Sequence, residues 1–408
     1  MANTLNLGTD GNWATKEGSL LGYNSESNNY KPLPFTFTRA SKATVINKDG
    51  LIETVGSGQP RIDYKDDSEG ALKLEPQSTN YLLQSNSFDT TWTKSNATIA
   101  SGQSGYDGSN DAWLLTATNT FNRVVQSISQ SGVKRFSVYA KANANDYLLL
   151  GSVEGAHFYA TFNLATGAVD SNNINAISPS IEDVGNGWYR CSATWVNTTT
   201  EVRIGTQDAS GQGAWASTTS GSIYIQDAQL EQGSYATSYI PTQGSAVTRL
   251  ADVCNNGANE QVINSTEGVL YAEIKALNET GGNRYISLSD GTDSNRILLR
   301  FQDTDKVGCF VRDASGSFAE ITKTSASISS NFLKVAVKWK TNDVALWVNG
   351  VEIGVDSSFT TFNANVLNRL NLTGATTTTS QYFYGNVKDL KVYNTALTDS
   401  ELAALTQV

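Results

Sequence analysis

Apolar and polar positions alternate along most of this chain in short runs separated by turn residues. Arg135-Phe-Ser-Val-Tyr-Ala140, His157-Phe-Tyr-Ala-Thr-Phe162 and Gly187-Trp-Tyr-Arg-Cys-Ser-Ala-Thr-Trp195 carry the period of two that puts one side chain in and the next out. Between residues 81 and 250 such runs recur at spacings of roughly 8–12 residues or more, which predicts a sandwich or jelly roll. The pattern resumes beyond residue 256 with Gly268-Val-Leu-Tyr-Ala-Glu-Ile274, Arg296-Ile-Leu-Leu-Arg-Phe301 and Lys306-Val-Gly-Cys-Phe-Val311. Asn349-Gly350 between two apolar runs predicts a tight hairpin. One helix is expected, at the C-terminus, where Thr398 and Glu401 form a capping box ahead of Leu402 and Leu405.

These runs divide the chain into an N-terminal region (1–80), a jelly roll (81–250) and a second sandwich (256–408). The polar stretch beginning Pro241-Thr-Gln-Gly-Ser245 and ending Asn255-Asn-Gly-Ala258 reads as a linker. In the first region, Phe35-Thr-Phe-Thr-Arg39 alternates as a strand does and Asn47-Lys-Asp-Gly50 marks a turn. Asp63, Asp66, Asp67 and Glu69 read as a solvated acidic turn. The fold class is therefore all-β, with two sandwiches behind a short N-terminal attachment region.

Charge and composition narrow the partners. With 29 basic and 39 acidic residues the net charge is −10, which disfavours nucleic acid and anionic membrane surfaces. No apolar stretch approaches the ~18 residues of a membrane span. Cys191, Cys254 and Cys309 are odd in number and widely spaced, which argues against a disulfide framework or a zinc site.

Three stretches resemble known families. Trp13-Ala-Thr-Lys-Glu-Gly-Ser-Leu-Leu-Gly22, Phe35-Thr-Phe-Thr-Arg-Ala-Ser41, Gly50-Leu-Ile-Glu53, Pro60-Arg61 and Leu74-Glu-Pro-Gln-Ser-Thr-Asn-Tyr-Leu82 resemble the opening of fibre and structural proteins of tailed phages. Ser137-Val-Tyr-Ala-Lys-Ala142, Asn186-Gly-Trp-Tyr-Arg190 and residues 230–242 are similar to a carbohydrate-binding-module-type jelly roll of phage tail and head-spike proteins. Asp343-Val-Ala-Leu-Trp-Val-Asn-Gly350 and residues 385–402 resemble a concanavalin A-like, laminin-G-type sandwich. The resemblance implies a virion protein, made in the host cytoplasm and exposed on the particle surface. It further implies docking on other virion proteins through residues 1–80, homotrimers, and adhesion to host or environmental glycans. A purely structural decoration or connector subunit is the alternative reading, and a glycan depolymerase the third.

Candidate chemistry is sparse. A Ser-His-Asp triad or a Cys-His pair would have to use His157, the one histidine, which lies in an aromatic strand. No strand carries an alternating acidic pattern for glycoside hydrolysis, so a non-enzymatic protein is expected, with no required cofactor. Sugar sites stack a pyranose on an exposed aromatic beside polar groups. Trp92, Trp113 and Trp215, with Tyr106, lie beside polar glycine-rich segments and are the ligand-binding candidates. Asp290, Asp293 and Asp303 are candidates for a calcium site of the laminin-G type. Trp339 and Trp347 sit in regular strands and are expected in the core.

Overall fold

A computed structural model describes residues 5–16, 18–22, 35–153, 157–170, 177–196, 198–210, 218–277, 282–303, 305–324, 326–376 and 381–408. Nearly all regular structure in it is β, and the capped helix Asp399–Thr406 follows the last strand. The chain forms two compact units, and their boundaries differ from the three expected regions. Residues 1–48, 54–76 and 250–408 make one unit, and residues 49–53 and 77–249 make the other. The second unit is thus an insertion in the first.

Pairing of remote strands explains why the first 76 residues do not stand apart. In the C-terminal unit the strand Gly385–Tyr393 is bordered on one side by Gly268–Ala276. On its other side Leu5–Leu7 covers one half and Ala71–Leu74 the other, and Arg61–Asp63 continues the sheet outward. Leu5, Leu7, Leu72 and Leu74 share the apolar core with Leu270, Ile274, Trp339 and Leu390. The acidic turn is not merely solvated. Asp67 pairs with Lys388 at 2.7 Å and Asp66 with Lys275 at 2.9 Å, so both carboxylates bind lysines of the neighbouring strands.

The expected linker is also structured, because its polar groups are partnered. Val253–Asn255 pairs with Phe35–Thr38, and Asp252, just before it in the same unit, is buried. Asp252 accepts from Arg39 at 2.9 Å, from Arg61, and from the Glu75 backbone N–H at 2.9 Å. Arg61 also holds the Glu75 carboxylate at 2.9 Å. The two guanidiniums are buried with it and donate further to the Gly56 and Thr44 carbonyls.

Opposite this sheet lies a five-stranded one, ordered Phe318–Lys323, Lys306–Arg312, Arg296–Gln302, Asn283–Ser289 and Arg369–Asn371. Ile286, Leu299, Val307, Cys309 and Leu370 point from it into the core. The larger sheet has its outer face covered by the terminal helix, whose Leu402 packs with Tyr271, Ala336 and Trp347. The Asn349-Gly350 hairpin forms as expected, both residues taking positive φ (49° and 79°) between register partners Val348 and Val351.

The inserted unit is a jelly-roll-type sandwich of two six-stranded sheets. Its core holds Phe136, Leu150, Phe162, Trp195 and Ile225. The resemblance motifs fasten this unit. Residues 137–142 lie against residues 186–190 in adjacent strands, and Arg190 sits 5.4 Å over the Tyr139 ring. The Asn80 side chain donates to the Ala228 and Ile240 carbonyls and accepts from Leu82 and Leu230. Glu231, buried, accepts from Ser78 (2.6 Å), Gln229 (2.8 Å) and Thr237 (2.7 Å).

Replacing Asp252 by Ala removes the carboxylate that two buried guanidiniums share, leaving Glu75 to Arg61, a loss of about 3–5 kcal/mol for a broken buried pair. Urea unfolding of the variant should show the C-terminal unit melting well before the wild type. An unchanged midpoint would remove the carboxylate from its central place in the fold.

Candidate functional site

The outer face of the five-stranded sheet is built by strand parity. Even-numbered positions of Arg296–Gln302 and Lys306–Arg312 point outward, since Ile297, Leu299, Phe301, Val307, Cys309 and Val311 are in the core. Register then sets neighbours side by side. One row across the sheet reads Phe318, Arg312, Arg296, Ser289 and Arg369; the next reads Glu320, Phe310, Leu298, Ser287 and Asn371. Arg300 and Tyr285 lie opposite each other in a third row.

Phe310 is the centre of this face. Its ring stacks with that of Phe318 (6.0 Å, 22°), and the guanidiniums of Arg296 and Arg300 lie 5.2 Å and 5.5 Å from its centroid. Arginine above an aromatic face is held by the ring quadrupole and keeps its edge donors free for another group. Arg300 also reaches Glu320 at 2.5 Å, and Arg296 reaches Asp293 in the adjoining turn. Burial pushes the Tyr285 hydroxyl above its usual range, against the opposing influence of Arg300 and Arg296. Arg369 packs over Gly291, where φ is 89° and a Cβ would come within 2.6 Å of its guanidinium.

The face grades from open to closed. Phe318 is 57% exposed, and Arg312 and Glu320 are exposed beside it. Toward the other edge Ser287 is 0% and Asn371 1% exposed. Ser287 Oγ and Asn371 Nδ2 have no hydrogen-bond partner, although Asn371 Oδ1 accepts from the Asn256 backbone. Buried polar atoms of this kind are ordinarily satisfied. At the open edge, an exposed aromatic and flanking guanidiniums can together hold a polar ring-shaped ligand.

The residues expected to bind sugar are elsewhere. Trp92 is 2% exposed; its indole donates to the Gln84 carbonyl at 2.8 Å and its ring packs on Phe88. Trp113 is half-buried against the jelly-roll core, edge-on to Phe88 at 6.2 Å. Tyr106, 4% exposed, stacks flat on Tyr139 at 3.8 Å and donates to Asp227 at 2.8 Å. Apolar packing has taken the ring faces of Trp92 and Tyr106 that a pyranose would need, so neither presents one. Trp215 lies outside the described residues. Trp339 and Trp347 are in core clusters, as expected.

The calcium candidates do not converge. Asp290 caps its own turn through Thr292 and Asn295, and Asp293 pairs with Arg296. Asp303 pairs with Lys306 at the far end of the seven-residue strand Arg296–Gln302, roughly 20 Å away along it. Among the described residues no group of three or more His, Cys, Asp or Glu is placed to hold a metal ion. The three cysteines are buried free thiols. A cleft of about 460 Å³ beside the terminal helix is lined by Lys338, Lys340, Asp343 and Asp399, but Lys338 already pairs with both carboxylates.

Sequence reasoning missed the arginine–phenylalanine face. Its signal was present in the alternation Arg296, Leu298, Arg300 and in Phe310, but only the register between strands shows that these positions adjoin.

Residues 258–403 match the family described as the concanavalin A-like lectin/glucanases superfamily, so the C-terminal sandwich is a concanavalin A-like domain. No curated protein matches the chain. Among solved structures, the chain is similar to the CBM40 of the Ruminococcus gnavus IT-sialidase bound to α2,3-sialyllactose. That match has 22% identity, covers 35% of this chain and 83% of that one, and has a TM-score of 0.31. Domain 4 of AbnA, a GH43 extracellular arabinanase from Geobacillus stearothermophilus, in complex with arabinotriose, matches at 16% identity. It covers 43% and 84% of the two chains with a TM-score of 0.31. Domains LG4-5 of the mouse laminin α1 chain match at 10% identity, covering 71% and 88%, with a TM-score of 0.25.

Two expectations follow. Chelation with EDTA should leave the melting temperature unchanged; a drop of several degrees would mean a bound cation that the three aspartates do not explain. Asp227, buried in the jelly roll, has its carboxyl pushed up to about 7 by burial, despite hydrogen bonds from Tyr106 and Tyr239, and Asp107 and Asp111 nearby add to the rise. An unfolded aspartate ionises near 4, so the native state holds the extra proton between roughly pH 4 and 7 and loses stability as pH rises through that window. The melting-temperature advantage of wild type over Asp227→Asn should therefore be larger at pH 4 than at pH 7.5. A difference independent of pH would mean that the carboxyl titrates normally.

Proposed function

We propose that this protein is a fibre or spike subunit of a tailed-phage virion that displays lectin-like domains and holds glycans of a host or environmental surface. The observation that carries glycan binding is exposed Phe318 stacked on half-buried Phe310, flanked by Arg296 and Arg300, at the open edge of the five-stranded sheet of the concanavalin A-like domain. The match of residues 258–403 to a lectin and glucanase superfamily agrees with it. The virion role rests on the resemblance of the motifs around Trp13, Arg39, Arg61 and Glu75 to phage fibre openings. In this reading residues 1–80 also meet other virion proteins, and the subunits assemble as homotrimers.

Binding without chemistry is proposed, because Glu320 on this face is committed to Arg300 while glycoside hydrolysis needs two working carboxylates. One observation favours a structural role for the inserted jelly roll. Its candidate aromatics Trp92 and Tyr106 are spent on packing, which leaves them to hold this unit's own fold.

A glycan array probed with the full-length protein and with Phe318→Ala tests the reading. The wild type should bind a restricted set of glycans, and the variant should bind them at least tenfold more weakly with an unchanged melting temperature. Absence of any glycan signal from wild type would leave the structural-subunit reading in its place. Mass spectrometry of purified particles should find the chain in the virion, and its absence there would sink the phage assignment.

A further inference from the structure

We infer that the outer face of the five-stranded sheet selects acidic saccharides, with a carboxylate or sulfate held by Arg296, Arg312 and Arg369 and a sugar ring laid on Phe318. This rests on the glycan-binding reading above and adds the chemical class of the ligand.

The charge distribution is the first ground. The chain carries a net charge of −10, yet Arg296, Arg300, Lys306, Arg312 and Arg369 face outward from these strands against one carboxylate, Glu320. Glu320 is matched to Arg300, and the turn residues Asp293 and Asp303 to Arg296 and Lys306. Arg312 and Arg369 have no carboxylate partner among the described residues. The Arg369 Nε donates to the neutral Asn368 side chain at 3.1 Å. Like charges set beside each other repel, as Arg296 and Arg312 are in register, so the row is a sink for a bound anion.

Geometry is the second ground. Guanidinium is planar and presents paired donors that match the oxygens of carboxylate or sulfate. From Arg312 to Arg369 the row crosses three strand spacings, on the order of 14 Å, which suits an oligosaccharide better than a single ring. Phe318 at one end of the row supplies an exposed ring face. In the adjoining row, Ser287 Oγ and Asn371 Nδ2 are buried and unpartnered. Closed off from solvent, they do not reach a ligand on the face, and recognition is left to the arginines and Phe318.

Isothermal titration of the full-length protein against three probes tests the assignment: chondroitin sulfate oligosaccharides, the same oligosaccharides desulfated, and the desulfated form with its carboxyls reduced. The neutral form should bind at least tenfold more weakly than the best acidic form. Retained affinity after desulfation assigns the carboxylate, and loss at that step assigns the sulfate. Arg312→Gln, at an exposed position, and Arg369→Gln should each weaken acidic binding roughly tenfold, as loss of a charged hydrogen bond does. They should also flatten its salt dependence, with melting temperatures as in wild type. Equal affinity for acidic and neutral forms, or no effect of Arg312→Gln, overturns the inference while the glycan-binding reading stands. If none of the three probes binds while the array finds neutral ligands, the inference also fails alone; silence in both assays removes the two together.

Discussion

Asp252 has no access to solvent, and three parts of the chain are anchored to it. Arg39, Arg61 and the backbone of Glu75 reach it from the N-terminal segment, while Asp252 itself stands where the chain returns from the inserted jelly roll. Two guanidiniums and one carboxylate in a dry interior would be costly. The Glu75 carboxylate and several carbonyls supply the remaining charge and acceptors. With that network closed, the outgoing and returning strands are fixed at one place, and the sheet containing Gly385–Tyr393 is complete.

The two sheets of the C-terminal unit are covered differently. The larger sheet of the C-terminal unit is covered by the terminal helix on one face and packed on the core with the other. Among the described residues no helix packs on the outer face of the five-stranded sheet, and Phe318, Arg312 and Glu320 are exposed there. The jelly roll spends its aromatic and acidic groups internally: Tyr106 on Tyr139 and Asp227, Glu231 on Ser78 and Thr237.

Much of the architecture was legible in the sequence because its signals are local. Period-two alternation, the Asn349-Gly350 turn and the Thr398–Glu401 cap each act within a few residues. The segment boundaries were not legible, since Leu5 meets Val392 and Leu72 meets Val387 across more than 300 positions. Trp92 and Tyr106 were chosen as site residues for their polar surroundings, but burial depends on which strands lie above them. Arg296 and Phe310 were visible as strand residues, and their adjacency came only from register. Arg39, Arg61 and Glu75 stand far apart in the N-terminal sequence, and their convergence on Asp252 to hold the fold is visible only in three dimensions.

The strand Gly385–Tyr393 is flanked by segments from the first 76 residues and from the start of the last third of the chain. On a ribosome, the N-terminal strands emerge hundreds of residues before their partner exists. The jelly roll, whose strands all lie within one continuous stretch apart from residues 49–53, can close in the meantime. Leu5, Leu7, Leu72 and Leu74 must wait with their apolar faces uncovered, which makes late closure of this sheet a slow, non-local step. The interval between the synthesis of Leu5 and of Val392 is therefore when the chain is most open to self-association.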